Sequence, residues 1–255
     1  MVERDDDDVN PFAAPQSDLV SQEPEDDSDG GLRSHQIIDA GDVISTSWEI
    51  FKDNVGMTLG CVLIGGILIN VISLPQNILS GIGDVMEQQG DANAATMFNL
   101  LSLCFLPLSV AGQIFIWAGQ ARMLLNIVRG KRAELSDLFT GARYFWRLLG
   151  SAIVFGLMLI IGFILCIVPG TIVALMFGVF VYVLVDQDPP GIECLSLARA
   201  VTKDNRVTLF VIGLAAVGIN LLGLLALCVG LLFTVPLTTL FIAVAYCKMT
   251  GQRTV

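Results

Sequence analysis

The sequence predicts an all-α protein, a polytopic transmembrane bundle of six helices behind a disordered acidic N-terminal tail. Apolar residues make up 54% of the 255 residues and charged residues only 15%, which is far from the average for soluble proteins. All 14 Lys and Arg lie outside three long apolar stretches, residues 53–121, 148–198 and 207–247. Long apolar stretches separated by short basic segments are typical of multi-pass membrane proteins with basic cytoplasmic loops.

Each cation-free stretch is long enough for two spans, because about 20 apolar residues of helix cross a bilayer. The first stretch predicts span one near residues 55–74, ending at Pro75, and span two near residues 101–121. The connection 80–96 between them carries acids and no base. That charge favours the outer face of the membrane, with both chain ends in the cytoplasm.

The second and third stretches divide in the same way. Residues 148–185 would make about 57 Å of helix, too long for one crossing, so Pro169 and Gly170 are predicted to separate spans three (148–168) and four (171–186). A re-entrant hairpin over 148–186 is the alternative. The third stretch divides near residues 228–230 into spans five and six.

The net charge of −10 belongs to the tail. Residues 1–39 carry twelve acids and two bases, whereas residues 40–255 carry twelve of each. Such a segment cannot bury enough apolar surface to offset its ordering entropy. We therefore predict two regions, a disordered cytoplasmic tail (1–39) and a membrane domain (40–255). The tail either docks a protein partner, with Asn-Pro-Phe at 10–12 as a candidate motif, or is a solvated spacer.

The segments before spans one, three and five share a pattern of acid, hydroxyl, small, apolar and basic residues. The aligned residues are Asp42, Asp137 and Glu193; Ser45, Thr140 and Ser196; Ser47, Ala142 and Ala198; Ile50, Phe145 and Val201; and Lys52, Arg147 and Lys203. An acid at the start and a base near the end complement a helix dipole. We predict short interfacial elbow helices with Trp48, Tyr144 and Trp146 as headgroup-level anchors. Helices that simply extend the spans are the alternative.

The even-numbered spans share a second motif, an apolar residue followed by proline, any residue and a hydroxyl residue. It occurs at 106–109, 168–171 and 235–238. The predicted hairpin and kink residues are Pro107, Pro169, Gly170 and Pro236. Together the two motifs predict three repeats, each an elbow helix followed by a transmembrane hairpin, arranged as a pseudo-symmetric bundle.

Polar residues inside the predicted spans are few, and no ionisable residue lies deep within one. Intramembrane ionisable residues usually mark ion and proton paths, so the sequence gives little support to a pump. Asn70, Gln113 and Asn220 are the candidates for a polar cavity. Hydrogen bonding between helices is the alternative role for these amides.

The sequence predicts no enzyme and no cofactor or metal. The single histidine is His35 in the tail, so the membrane domain has no histidine for a metal site or a Ser–His–acid arrangement. The six cysteines are scattered singly, without the two-residue spacing of a metal or redox pair. Nucleic acid is not an expected partner.

Several motifs resemble a known group of membrane proteins. They are S-L-A-R-A-V-T-K-D-N at 196–205, G-L-L-F-T-V-P-L at 230–237, A-Y-C at 245–247, I-V-P-G-T at 167–171 and Y-V-L-V-D at 182–186. They are similar to motifs of the YciC-like bacterial membrane proteins. They also resemble the membrane domain attached to some glycerophosphodiester phosphodiesterases. The resemblance covers about residues 40–250 and implies a shared fold, without the phosphodiesterase catalytic domain.

The predicted function is that of a non-enzymatic scaffold or accessory protein of the bacterial inner membrane. Its expected partners are the lipid bilayer and a protein that binds the acidic tail. The alternative is a transporter or flippase of a small or lipidic substrate.

Cysteine accessibility in intact cells tests the predicted topology. Single cysteines at positions 30, 90, 130 and 190 would be placed in a chain cleared of its native cysteines. We expect an impermeant thiol reagent to label position 90 only, because it alone lies in an outer connection. Labelling at 30 or 190 would overturn the topology and the repeat with it.

Overall fold

A computed structural model describes residues 36–190, 192–226 and 229–254. Within these residues the chain forms nine α-helices, one 3₁₀ helix and no strand, which confirms the all-α fold class. The helices are α1 (Ala40–Asp53), α2 (Val55–Gln88), α3 (Ala92–Val128), the 3₁₀ helix (Leu135–Tyr144), α4 (Phe145–Leu165), α5 (Ile167–Phe177), α6 (Phe180–Gln187), α7 (Glu193–Thr202), α8 (Arg206–Leu225) and α9 (Leu231–Met249). Residues 1–35 of the predicted disordered tail lie outside the described residues.

Six helical stretches are long and apolar enough to cross a membrane, as predicted. They are Val55–Gln88, Ala92–Val128, Leu135–Leu165, Ile167–Gln187, Arg206–Leu225 and Leu231–Met249. This assignment rests on length and composition.

The first hairpin is much longer than predicted. α2 continues through Pro75 for 34 residues and α3 has 37, which gives each about 50 Å of length. The predicted end at Pro75 and the predicted loop 80–96 are therefore wrong. The helix tolerates Pro75 because α2 packs along α3. The Ser109 hydroxyl donates to the Gln76 amide oxygen across the pair, and Gly83 leaves room for the Asn99 side chain.

Two of the labelling positions fall on glycines with a left-handed backbone. Gly90 has φ 83° in the turn between α2 and α3, and Gly130 has φ 64° just after α3. A cysteine at either position would be strained, because φ > 0 disfavours residues that carry a Cβ. The neighbouring Gln89 and Arg132 are exposed and provide the same topological information.

The second hairpin turns earlier than predicted. α4 ends at Leu165, Cys166 is extended (φ −176°, ψ 162°), and α5 begins at Ile167. Pro169 therefore lies in the first turn of α5, where a missing N–H leaves no helical bond unmade. Gly170 also lies inside α5, and it contributes a close helix contact instead of a turn. A Cβ on Gly162 would lie 2.9 Å from the Gly170 Cα atom.

Both arms of the second hairpin are long enough for full spans. α4 has 21 residues, and the stretch Ile167–Gln187 also has 21, about 31 Å each. That length matches the apolar core of a bilayer. The second arm is interrupted between α5 and α6 at Gly178 and Val179. Its length favours two spans over the re-entrant alternative.

The third hairpin divides where the sequence predicted. α8 ends at Leu225 and α9 begins at Leu231, and a Cβ on Gly230 would lie 2.6 Å from the Gly223 carbonyl oxygen. Pro236 lies inside α9, just as Pro107 lies inside α3. Both helices continue through their prolines.

Short helices stand at all three predicted elbow positions. α1 is separated from α2 by Asn54, whose backbone (φ −125°, ψ 30°) is not helical. α7 is separated from α8 by residues 203–205. The 3₁₀ helix instead runs directly into α4, because this segment lacks the Asp-Asn pair that follows the base in the other two.

The described domain begins before residue 40. The buried Asn205 side chain accepts a hydrogen bond from the Ile38 N–H and donates one to the Gln36 carbonyl, both at 2.9 Å. The Thr208 hydroxyl donates to the Ile38 carbonyl at 3.3 Å. Residues 36–39 are thus fixed to the α7–α8 corner.

The core lies where α3, α6 and α9 meet. Residues 180–185 of α6 are all buried. In α9, 56% of the apolar 18-residue segment is buried, compared with 11% of the corresponding segment in α8. α1 covers one side of this core with Val43, Ser47 and Ile50. The even-numbered spans therefore form the inside of the bundle at this end.

Replacing Gly119 or Gly141 by alanine should destabilise the protein. A Cβ on Gly119 would clash with the Leu138 carbonyl, and one on Gly141 with the Phe115 carbonyl. Backbone atoms cannot move aside as side chains do, so we expect each variant to lose about 1–3 kcal/mol. Thermal unfolding in detergent measures this loss. Gly156→Ala is the matched control, because nothing lies within 4 Å of its Cβ position; equal losses in all three variants would contradict the proposed contact.

Candidate functional site

The ends of α3, α6 and α9 are joined by a polar network centred on Asp186. Arg129 Nη2 lies 2.5 Å from Asp186 Oδ1. The Tyr246 hydroxyl donates to Asp186 Oδ2 at 2.9 Å, and Gln252 Nε2 donates to the same oxygen at 2.6 Å. Arg129 Nε also donates to Gln252 Oε1 at 2.9 Å. The three helix ends therefore lie at one end of the bundle, as alternate crossings of six spans require.

The Arg129–Asp186 pair is largely removed from solvent. Their side chains are 18% and 12% exposed. Burial alone would lower the pKa of Arg129, but the charge and hydrogen bond of Asp186 outweigh burial and raise that pKa above its usual value. Arg129 therefore stays cationic. A buried charge keeps its ionised form only when paired and hydrogen-bonded in this way.

A second acid, Asp188, lies just beyond α6 and has a left-handed backbone (φ 47°). Its carboxylate pairs with Arg143 at 3.0 Å and with Arg147 at 2.5 Å. Both arginines come from the 3₁₀ helix and the start of α4. Asp188 therefore connects the second hairpin's two ends across its base.

A third acid, Asp137, organises the 3₁₀ helix. Its Oδ2 accepts from Asn126 Nδ2 at 3.1 Å and from the Glu134 N–H at 3.2 Å. The ion pair between Asp137 and Arg122 is looser, at 3.9 Å. Arg122 also donates to the Tyr144 hydroxyl at 3.3 Å.

These groups surround a cleft of about 360 Å³. Its lining is mainly polar and consists of Arg122, Leu125, Asn126, Arg129, Lys131, Arg143, Tyr144, Val185, Asp186 and Asp188. Four cations and two carboxylates line this basic cleft, which leaves two positive charges in excess. The arrangement can bind an anion. Within the described residues, no group of three or more Cys, His, Asp or Glu could hold a metal ion.

The three candidate cavity residues are not brought together in any described pocket. Asn70 is exposed on α2, donates to the Gly66 carbonyl at 2.8 Å, and lines a shallow groove formed by α2 alone. Gln113 is exposed on α3. Asn220 on α8 donates to the Thr238 hydroxyl of α9 at 3.1 Å. Asn220 thus forms a hydrogen bond between two helices, which is the alternative role considered above.

The predicted aromatic anchors differ in their surroundings. Trp48 and Trp146 are exposed, Trp146 at 79%. Tyr144 is buried, with only 4% of its surface exposed, and the prediction that it is a surface anchor is wrong. The 3₁₀ helix lies against α3 through Gly119 and Gly141, and this packing directs Tyr144 toward Arg122.

Sequence reasoning missed the basic cleft, although part of its signal was visible. Six of the 14 bases lie between residues 122 and 147, far more than orientation in the membrane requires. Nothing local shows that Asp186 and Asp188 would meet these bases, since Asp186 and Arg129 are 57 residues apart.

No family model, curated protein or solved structure matches the chain.

Replacing Asp186 by asparagine should destabilise the protein strongly. The variant would leave the charge of Arg129 buried without a counter-charge, which costs about 3–5 kcal/mol. Thermal or denaturant unfolding in detergent measures the change. Asp53→Asn is the matched control, because Asp53 is exposed at the end of α1.

The double variant Arg129→Gln/Asp186→Asn completes the experiment. Removing both charges should recover part of the loss, because the uncompensated cation is gone. Additive losses in the double variant would show that the two side chains do not depend on each other.

Proposed function

We propose that this chain is a non-enzymatic scaffold or accessory protein of the bacterial inner membrane. In this proposal the six apolar helices cross the bilayer, both chain ends are cytoplasmic, and the exposed apolar side chains contact lipid. The basic cleft then lies at the cytoplasmic end. The acidic tail is the segment that binds a protein partner.

The observation that carries this proposal is that the candidate polar residues Asn70, Gln113 and Asn220 do not come together in a described pocket. Asn70 donates a hydrogen bond to its own helix, and Asn220 donates one to the neighbouring helix α9. The ionisable network of Arg129, Asp186 and Tyr246 is confined to one end of the bundle. A transporter needs polar groups that line a shared route between its helices.

We also propose that the bundle consists of three parallel repeats. The helices α1 and α7 and the 3₁₀ helix precede the three hairpins in equivalent order. Two hairpins also share a close glycine contact near their tips, Gly162 with Gly170 and Gly223 with Gly230. The motif resemblance to YciC-like proteins supports a role at the inner membrane.

One observation favours a transporter as the second candidate. The amide oxygen of Asn220 and the hydroxyl of Thr58 are buried and have no hydrogen-bond partner among the described residues. Such groups are uncommon in packed interiors. In a transporter they would contact water or substrate in another conformation.

Water access to the spans distinguishes the two functions. Single cysteines at positions 70, 113 and 220 would be treated with a water-soluble thiol reagent in native membranes. Such reagents attack the thiolate, which forms only where water reaches the sulfur. The scaffold proposal predicts no labelling at the three positions.

Two further cysteines calibrate the experiment. Val71→Cys, next to Asn70 on the exposed apolar surface of α2, should also stay unlabelled. Arg132→Cys should label fully in opened membranes, because it lies outside the spans. Labelling at positions 70 and 220 but not at 71 would replace the scaffold proposal by the transporter.

A further inference from the structure

We propose that the basic cleft binds the phosphate group of an anionic membrane lipid. The site is formed by Arg122 of α3, Lys131 after α3 and Tyr144 of the 3₁₀ helix. The inference deepens the proposed function, because it rests on the cleft lying at the membrane surface.

The first step concerns which cations are available. Arg129 is paired with Asp186, and Arg143 is paired with Asp188. Arg122 has one loose ion pair, with Asp137 at 3.9 Å, and one hydrogen bond, to the Tyr144 hydroxyl, and its side chain is 40% exposed. Lys131 is exposed, and its ammonium has no ion pair or hydrogen bond among the described residues. Two cations therefore face the cleft with unused hydrogen-bond donors.

The second step concerns the geometry of donors. The guanidinium of Arg122 presents several N–H groups and favours bidentate binding of phosphate oxygens. Its bond to Tyr144 uses that hydroxyl as an acceptor, so the phenolic proton can be donated to a ligand. Lys131 adds a point charge on a flexible stem. A volume of about 360 Å³ lies at the lower end of ligand pockets and suits a headgroup.

The third step distinguishes a lipid from free phosphate. Trp117 precedes Arg122 by five residues of α3, about 7.5 Å along the helix axis, and is 42% exposed. Phe139 and Trp146, on the 3₁₀ helix and α4, are also exposed. Aromatic side chains of this kind concentrate at headgroup level. An anion bound between Arg122 and Lys131 would therefore lie where lipid phosphates lie.

Native mass spectrometry of the full chain in detergent tests the proposal. Phosphatidylglycerol and phosphatidylcholine would be titrated separately against the protein and against Arg122→Gln/Lys131→Gln. We expect the native chain to prefer phosphatidylglycerol. The double variant should bind it about tenfold or more weakly, as expected for the loss of charge-assisted hydrogen bonds.

The matched control is Lys52→Gln/Lys203→Gln. These lysines are also exposed and lie outside the cleft. This variant loses two positive charges, as the cleft variant does. Its affinity for phosphatidylglycerol should stay within about twofold of native, since no bound phosphate contacts either lysine. If Arg122→Gln impairs folding, Lys131→Gln alone should still weaken binding and leave the fold intact, because the Lys131 ammonium has no ion pair or hydrogen bond among the described residues.

Four outcomes would overturn the proposal. Equal losses in the two double variants would reduce the effect to general attraction by positive charge. Equal binding of phosphatidylcholine would remove the preference for anionic lipid. Binding of inorganic phosphate without lipid binding, lost in Arg122→Gln/Lys131→Gln, would make free phosphate the ligand. Lipid binding seen only after deletion of residues 1–35 would assign the cleft to that acidic segment.

These outcomes are separate from the test of the scaffold proposal. Lipid binding in detergent does not depend on which side of the membrane the cleft faces or on water in the spans. Labelling at positions 70 and 220 would overturn the scaffold and leave the lipid site standing. Loss of lipid preference would do the reverse.

Discussion

The arrangement of the helices depends on the polar network centred on Asp186. Its carboxylate accepts from Arg129 at the end of α3 and from Tyr246 and Gln252 at the end of α9, two segments that are far from Asp186 in the chain. Apolar helices surrounded by lipid gain little from the hydrophobic effect when they associate. Directional polar bonds at one end therefore fix which helices are neighbours, and close packing of small residues completes the bundle. Residues 180–185 of α6 are all buried because α6 lies at the centre of the bundle.

The polar end also explains the uneven distribution of charge along the sequence. A minimal orientation signal needs only a few bases in each cytoplasmic loop, yet the segment between α3 and α4 is unusually basic. Part of this charge neutralises Asp186 and Asp188. Of the remaining bases, Arg122 and Lys131 face the cleft. The same bases thus support packing and, in our proposals, orientation in the membrane and recognition of a phosphate group.

The sequence predicts the spans well because each base must stay in water, which is a local requirement. Contacts between distant segments are harder to predict. Pro75 does not end α2, because packing against α3 holds the helix together beyond it. Tyr144 is not an anchor, because the close contacts of Gly119 with Leu138 and of Gly141 with Phe115 hold the 3₁₀ helix against α3 and turn Tyr144 inward. The basic cleft depends on pairs such as Arg129 and Asp186 that no spacing rule connects.

The position of Gln252 has a consequence for biogenesis. Each hairpin has contacts between consecutive helices, such as Gly162 with Gly170, so a pair of helices can enter the membrane as a unit. Asp186 gains two of its three donors, Tyr246 and Gln252, only after α9 has been synthesised and inserted. Until then the translating chain carries an incompletely satisfied carboxylate, the kind of exposed polar group that membrane chaperones and proteases can recognise. Among the described residues, the hydrogen bonds of Asp186 are therefore complete only once the end of α9 is in place.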